Sequence, residues 1–286
     1  MMAFKERIVE PVTITAGLRC LTAPNPSPMT GPGTNSYIVG HGPYAIVDPG
    51  VDDESHLASL VAACNNDVAA ICLTHRHPDH VGGAALLAER TGAPVYAWPK
   101  SELAHHDRPI YVDRELVDEQ TLDFGGLSLV ARHTPGHAAD HVAFELPEHG
   151  ILLAGDALMS DATVVILPPD GDMGAYFNTL ERVAALDLRR IAPAHGRMID
   201  DPAATIADVR AHRRQREAQV VAALSVETAQ TPETIADVLY PQLYDHLKTL
   251  AVLQVRAHLL HLADQGRAVD ADDGWRAVVG EATLSS

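Results

Sequence analysis

Cysteine is scarce: Cys20, Cys64 and Cys72 are odd in number and not in CxxC spacing, which argues against a disulfide framework. Cys72 falls in an apolar run, so reduced packing residues in a reducing cytoplasm are expected. Positive charge is scarce too. The 21 Lys and Arg against 38 Asp and Glu leave a formal charge of −17, which opposes adhesion to anionic membranes and a broad grip on nucleic acid, though not a local basic groove. No apolar run approaches the about 20 residues of a membrane span. The start, Met1-Met2-Ala3-Phe4-Lys5-Glu6-Arg7, has no apolar core of an export signal, so neither membrane nor export is expected. Disorder is also excluded: 47% hydrophobic and 21% charged residues make an ordinary globular balance, and 286 residues suffice for one large domain and a small one.

What the chain does have is Thr74-His75-Arg76-His77-Pro78-Asp79-His80, directly after the apolar run Ala69-Ala70-Ile71-Cys72-Leu73 and before Val81-Gly82-Gly83-Ala84. The run reads as a buried strand, so the potential ligands begin where it ends. In an extended chain His75 and His77 project to the same side, because side chains repeat every two residues. Asp79 and His80 follow a proline that stops the strand and point elsewhere, which suits a second ion nearby. Downstream, single candidates stand at the ends of apolar runs: His137 in Thr134-Pro135-Gly136-His137, Asp156 after Leu152-Leu153-Ala154-Gly155, and His195 in Ala192-Pro193-Ala194-His195-Gly196. His75, His77 and His137 on one side, Asp79, His80 and His195 on the other, and Asp156 between them would complete a site for two metal ions. Nitrogen and oxygen donors suit zinc best and accept iron or manganese.

The pattern HxHxDH, then H, D and H, resembles that of the metallo-beta-lactamase superfamily over residues 1 to about 200. The resemblance implies an αββα sandwich with the metals in loops at one edge of two packed sheets. In that setting a water bridging two cations has its pKa lowered and supplies hydroxide, while one cation polarises the oxygen of the bond to be cut. Asp79, a carboxylate beside the nucleophile, is the expected proton acceptor.

Along the chain, paired strands are expected at 12–15 and 18–21, then a Pro- and Gly-rich shaped loop over 24–35 and a hairpin over 37–47. Asp48, at that hairpin's end, reads equally as a turn residue or as a group orienting a ligand imidazole. Helices are expected over 53–64, 81–91 and 174–186, the last with Leu180, Val183 and Ala184 buried. His105 and His106, in a charged stretch, read as solvated surface. His133 reads as a packed histidine, and His141 as a residue behind the metals or a proton donor. The alternating pattern ends at Asp200-Asp201-Pro202, so the domains are drawn as 1–202 and 203–286. In the tail, helices over 205–224, from Thr231, and over 246–265, the last with Leu250, Leu253, Ala257 and Leu260 on one face, precede a hairpin over 269–279. Three helices and a hairpin make a winged helix.

This tail, with Gly33-Thr34-Asn35-Ser36-Tyr37 and Gly136-His137-Ala138-Ala139-Asp140-His141, resembles the beta-lactamase-like protein two branch of the superfamily, which includes a mitochondrial endoribonuclease. Departures narrow the choice. No Cys stands among the ligands, unlike the best-known zinc-dependent lactamases, and the 39-residue step from Asp156 to His195 leaves no room for an inserted nuclease domain. The expected function is a dinuclear zinc hydrolase. From Thr205 onward eleven acids outnumber eight Lys and Arg, and only Arg213, Arg214 and Arg216 offer joint phosphate contacts, so a small ester, thioester, lactone or lactam is preferred as substrate over single-stranded RNA. An iron-dependent oxidoreductase and a DNA-binding regulator are the remaining readings.

Overall fold

Ile38, Ile46 and Ile71 alternate with Val39, Val47 and Cys72 along three neighbouring strands, so each set faces one side of a sheet, and both sides must be covered. The computed structural model, which describes residues 8–100, 102, 110–160 and 162–278, shows how. His105, His106, Met1 to Arg7 and the end of the last expected hairpin at Val279 lie outside the described residues.

The first sheet runs in chain order through β1 (Val12–Thr15), β2 (Leu18–Thr22), β3 (Asn35–Val39), β4 (Tyr44–Val47), β5 (Val68–Cys72), β6 (Val95–Ala97) and β7 (Arg114–Glu115). The second contains β8 (Thr121–Asp123), β9 (Ser128–His133), β10 (Val142–Leu146), β11 (Ile151–Gly155) and β12 (Arg190–Pro193), with β12 at one edge beside β11. Val39, Val47 and Cys72 meet Leu129, Phe144 and Leu153 between the sheets. On the outer face of the first sheet, Ile38, Ile46 and Ile71 pack on Leu57 and Leu60 of α1 (Glu54–Ala63), and on Leu87 of α3 (Ala84–Thr91), which follows the short α2 (Pro78–Val81). On the outer face of the second, Leu152 and Ile191 pack on Tyr176, Leu180 and Val183 of α4 (Met173–Ala184). The result is an αββα sandwich, each fully buried Leu or Ile contributing about 2 kcal/mol of apolar burial.

The tail forms α5 (Pro202–Ala223), α6 (Pro232–Leu239), α7 (Asp245–Asp264) and the antiparallel pair β13 (Ala268–Ala271) and β14 (Gly274–Ala277), a winged helix. It has its own core of Val220, Ile235, Val255, Leu259, Leu262 and Trp275.

Several expectations change. The helix expected over 81–91 is two helices, broken at Gly82 and Gly83. There the chain runs so close to α1 and the 49–51 segment that a Cβ on Gly83 would lie 2.7 Å from Leu57 Cδ2 and 2.8 Å from Val51 O. Helix α5 starts three residues before Thr205, because Asp201 caps it by accepting from Ala204 N and Pro202 suits its first turn. Ala184 is exposed, and Tyr176 and Thr179 are buried on α4 instead. In α7 the expected Leu260 is 37% exposed, while Ala251, Val255, Leu259 and Leu262 face the winged-helix core and Ala257 joins the α4 layer.

Candidate metal centre

The strand β5 ends at Cys72, and the next residues are held open by Asp48. Its Oδ1 accepts from Thr74 N at 2.8 Å and its Oδ2 from Thr74 Oγ1 at 2.7 Å. With the threonine proton committed to Asp48, Thr74 Oγ1 is an acceptor for His75 Nδ1 at 3.0 Å. That leaves His75 Nε2 without a hydrogen. His137 reaches the same state by another route: its Nδ1–H donates to the Val165 carbonyl at 2.7 Å, so its Nε2 is bare as well. Both bare nitrogens point at His77 Nδ1, at 2.9 and 3.0 Å. One N–H at most can lie among these three atoms, so at least two lone pairs converge there and one proton cannot satisfy both close contacts.

The second cluster repeats the logic with carboxylates. His80 Nδ1 donates to Asp48 Oδ2 at 2.8 Å, turning Nε2 towards Asp156 Oδ1 at 3.6 Å and Asp79 Oδ2 at 3.7 Å. Both His80 Nε2 and Asp156 Oδ1 are buried without a hydrogen-bond partner. His195 donates from Nδ1 to the Gly33 carbonyl at 3.3 Å and presents Nε2 to Asp79 at 3.2 Å and Asp156 at 3.4 Å. Asp156 Oδ2 lies 3.5 Å from His137 Nε2, so this carboxylate touches both clusters. The donor atoms of His75, His77 and His137, of His75, His80 and Asp156, and of Asp79, His80 and His195 each lie within 4.8 Å of one another. All seven side chains expected from the sequence are therefore brought together.

The electrostatics match. Burial, then the neighbouring imidazoles, pushes His75 well below the usual imidazole range and His77 down to about 3, so both present lone pairs at neutral pH. Burial raises Asp79, but the His195 hydrogen bond and the charge of His80 outweigh it and hold the carboxyl at about 2. Burial lowers His80, yet Asp156 and Asp48 lift it well above its ordinary value. The acids thus call for positive charge at His80 Nε2, which a proton or a cation supplies. Bare imidazole nitrogens, an orphaned buried carboxylate oxygen and ionised acids fit a pair of divalent cations.

Supporting residues fix each loop. Arg76 and Asp140, both buried, pair at 2.7 Å and join the 74–80 loop to the 134–141 loop. His141 lies beneath the centre, not in the cleft: its Nε2 accepts from Asp156 N at 3.0 Å and its Nδ1–H donates to Thr134 Oγ1 at 2.8 Å. His133 is a packed residue, stacked on Trp98 with ring centroids 3.9 Å apart. Helix α4 grips the His137 loop, Thr179 donating to Pro135 O at 2.7 Å and Arg182 to His133 O at 2.9 Å. The 24–35 loop is part of the site and no mere connector. Its Gly33 carbonyl orients His195, Asn35 donates to Pro193 O at 3.0 Å, and Met29 and Thr30 line the cleft. The 163–173 stretch, whose position after Asp156 marks it in the sequence as a pocket wall, does line the cleft through Val165, Leu167 and Asp170, but the sequence does not single out Asp170. The Oδ1 of Asp170 accepts from Ala139 N at 2.9 Å and its Oδ2 lies 3.9 Å from His77 Nε2.

The cleft over the centre has a volume of about 420 Å3. His77, Asp79, His137, Asp156 and His195 form its floor, with Met29, Met159, Val165 and Leu167 on its walls.

Residues 29–195 match the family described as the metallo-beta-lactamase superfamily, and residues 231–275 match the beta-lactamase associated winged helix domain. The chain is 30% identical over 258 residues to the beta-lactamase-like protein 2 homolog of Drosophila melanogaster, covering 85% of this chain and 86% of that protein. It is 33% identical over 219 residues to the atrochrysone carboxyl ACP thioesterase of Aspergillus chevalieri, covering 74% and 67% of the two. A crystal structure of a metallo-beta-lactamase family protein from Thermus thermophilus shares the fold, with a TM-score of 0.75 and 24% identity over 93% of this chain and 100% of that one. The αββα sandwich, the converging histidines and acids at its edge and these matches lead to one assignment: the chain belongs to the metallo-beta-lactamase superfamily.

Proposed function

We propose that this superfamily hydrolase cleaves a small acyl compound, an ester, thioester, lactone or lactam, at a centre of two divalent cations. The observation that carries the substrate class is the cleft lining. Four apolar side chains, Met29, Met159, Val165 and Leu167, face the ligand residues, and among the described residues neither Lys nor Arg lines the cleft. Such walls hold an acyl chain by apolar burial and offer no fixed cation to a phosphate backbone. The relative named a thioesterase supports a thioester as the first substrate to try.

In this reading His75, His77 and His137 hold one cation, Asp79, His80 and His195 the other, and Asp156 serves both. Zinc suits these donors best, with iron or manganese also accepted. When bound, the cations supply a water of lowered pKa and an electrophile for the oxygen of the scissile bond. The chain's own residues do the rest. Asp79, with 29% of its side chain exposed, is held ionised at the cleft floor and takes a proton at its carboxylate. Thr74, Asp48 and the Val165 carbonyl hold the imidazoles in the tautomers that leave Nε2 free. We assign catalysis to residues 1–202, and to the winged helix over 203–286 the support of the cleft wall from behind, through Arg213 on the Val164 carbonyl, since none of its described residues lines the cleft itself. The unpaired cysteines Cys20, Cys64 and Cys72 suit a reducing cytoplasm.

A side-by-side rate comparison of the zinc-loaded protein on an acyl thioester, a lactone, a β-lactam and single-stranded RNA tests the proposal. One acyl substrate is expected to turn over fastest, and metal analysis of protein purified without chelator to give about two equivalents. RNA cleavage faster than every acyl substrate would overturn the substrate class, and a folded protein that takes up no metal would overturn the centre.

A further inference from the structure

The segment that walls the cleft is tied to the winged helix at one peptide group and to a ligand imidazole at the next. Arg213, midway along α5, is only 3% exposed, and a terminal guanidinium nitrogen donates to the Val164 carbonyl. Gln254 of α7 reaches the same oxygen at 3.5 Å. The adjacent carbonyl, that of Val165, accepts the Nδ1–H of His137 at 2.7 Å. The guanidinium is itself fixed against Tyr176, its Cζ 5.4 Å from the ring centroid. Tyr176 in turn donates its hydroxyl to the carbonyl of Ala157, next to Asp156, at 2.9 Å. It also backs the His137 loop so closely that a Cβ on Gly136 would lie 2.5 Å from Tyr176 Cα.

Ordinary packing does not account for an arginine here. Among the described residues no acid pairs with Arg213, and its Nε is buried without a partner, as are Gln254 Oε1 and His258 Nδ1 in the winged helix. An unpaired buried cation is costly, and a methionine would fill the same seam without that cost. What arginine adds is a directed hydrogen bond to Val164, anchored by an aromatic face. That bond acts on the strip carrying both the His137 acceptor and the apolar wall residues Val165 and Leu167.

We propose that Arg213 is a positioning residue for the metal centre: through the peptide groups of Val164 and Val165 it fixes the His137 imidazole, so the winged helix sets how tightly the His75, His77 and His137 side holds its ion. The inference rests on the two-cation reading given above. Through this strip it reaches His137 but not His80 or His195, which are oriented by Asp48 and Gly33.

The test is a chelator-competition titration with zinc of the full-length protein, wild type, Arg213→Met and Arg213→Lys, each alone and combined with His137→Ala or His195→Ala. Loss of an outer partner of a metal ligand weakens binding by about 10- to 100-fold, so Arg213→Met, one peptide further out, is expected to weaken one zinc site about tenfold and leave the other within about twofold. The effect should vanish in the His137→Ala background and persist in the His195→Ala background. Arg213→Lys, which keeps a donor for Val164, should recover most of the affinity. Amide hydrogen exchange over residues 164–168 should quicken in Arg213→Met in step with the lost affinity. Equal weakening of both sites, or an undiminished effect in the His137→Ala background, would mean that Arg213 only packs the seam. Should Arg213→Met fail to fold, Arg213→Gln, too short to reach Val164, carries the same comparison. Wild type that binds no zinc overturns the metal reading itself, whereas wild type that binds two ions with affinities unaltered in the variants overturns this inference alone.

Discussion

Asp48 shows what a single side chain does at this centre and why its role is hard to read from the sequence. It sits in the left-handed region at φ 50°, a conformation that Asp tolerates better than most residues. From there one carboxylate accepts from Thr74 N, Thr74 Oγ1 and His80 Nδ1. The Asp-Pro-Gly that contains it looks the same whether it merely turns the chain or orients a ligand, since its partners lie 26 and 32 residues away. The seven clustered side chains were legible because four crowd into the 75–80 stretch that follows one apolar run and the other three each stand at the end of another. The loops that carry Asp170 and the Gly33 carbonyl were legible as a pocket wall and a shaped loop, but the individual contacts of these two groups were not. Removing Asp48 frees the His80 ring and unties Thr74, so Asp48→Ala is expected to weaken zinc binding by about 10- to 100-fold in a competition titration. Asp53, five residues on, accepts from His56 N at 2.8 Å as the cap of α1. Asp53→Ala should cost about 1 kcal/mol of stability in urea and leave zinc affinity alone. Equal loss of affinity in the two variants would show that the 48–53 turn matters as a whole and not through the Asp48 carboxylate.

Strands were legible even where both faces are covered, as the apolar run of β5 shows, whereas a helix that packs on two sides was misread. Helix α7 is the clearest case. Its expected stripe ran through Leu250 and Leu260, but it packs on the winged-helix core with one side and on the α4 layer with another, so no single stripe describes it. The strand β7 was missed because its two residues, Arg114 and Glu115, are charged and exposed and pair only through their backbone. Helix α1 carries a hidden pH dependence. His56 is buried against the first sheet, with Nε2 2.9 Å from Ser36 Oγ, and burial pushes its pKa from 6.5 to about 4. Between those values the unfolded chain takes up a proton at this residue and the folded chain does not. The stability this group contributes is therefore complete above 6.5 and falls away as the pH drops to about 4. Over that window wild type should lose about 3 kcal/mol more than His56→Gln, read from urea unfolding midpoints near pH 7 and about pH 4. Parallel losses in the two proteins would place the acid sensitivity elsewhere.

At the scale of the whole molecule, a sandwich followed by a winged helix was plain from the order of the elements, but the way the two meet was not. The run His212-Arg213-Arg214-Gln215-Arg216 reads as one basic cluster in the sequence, and the helical turn disperses it. Arg213 points inward to Val164, Arg214 lies over Phe177 at 6.0 Å, and Arg216 lies over Tyr240 at 4.8 Å while bonding Gln219. The three arginines expected to grip phosphates together are reduced to two that face different rings. With two phosphate contacts at most, the logarithm of affinity for a single-stranded RNA should fall against log salt with a slope near −1.4, each contact contributing about −0.7. The net charge of −17 acts in the same direction by repelling the strand at low salt. Fluorescence anisotropy of a labelled RNA between about 50 and 200 mM salt measures the slope. A value steeper than about −3, lost when Arg214 and Arg216 are both changed to Ala, would reveal a phosphate track outside the cleft and return RNA to first place among the substrates. A shallow slope leaves the apolar walls around Met29, Met159, Val165 and Leu167 as the feature that selects the substrate, and the winged helix as the element that holds one of those walls in place.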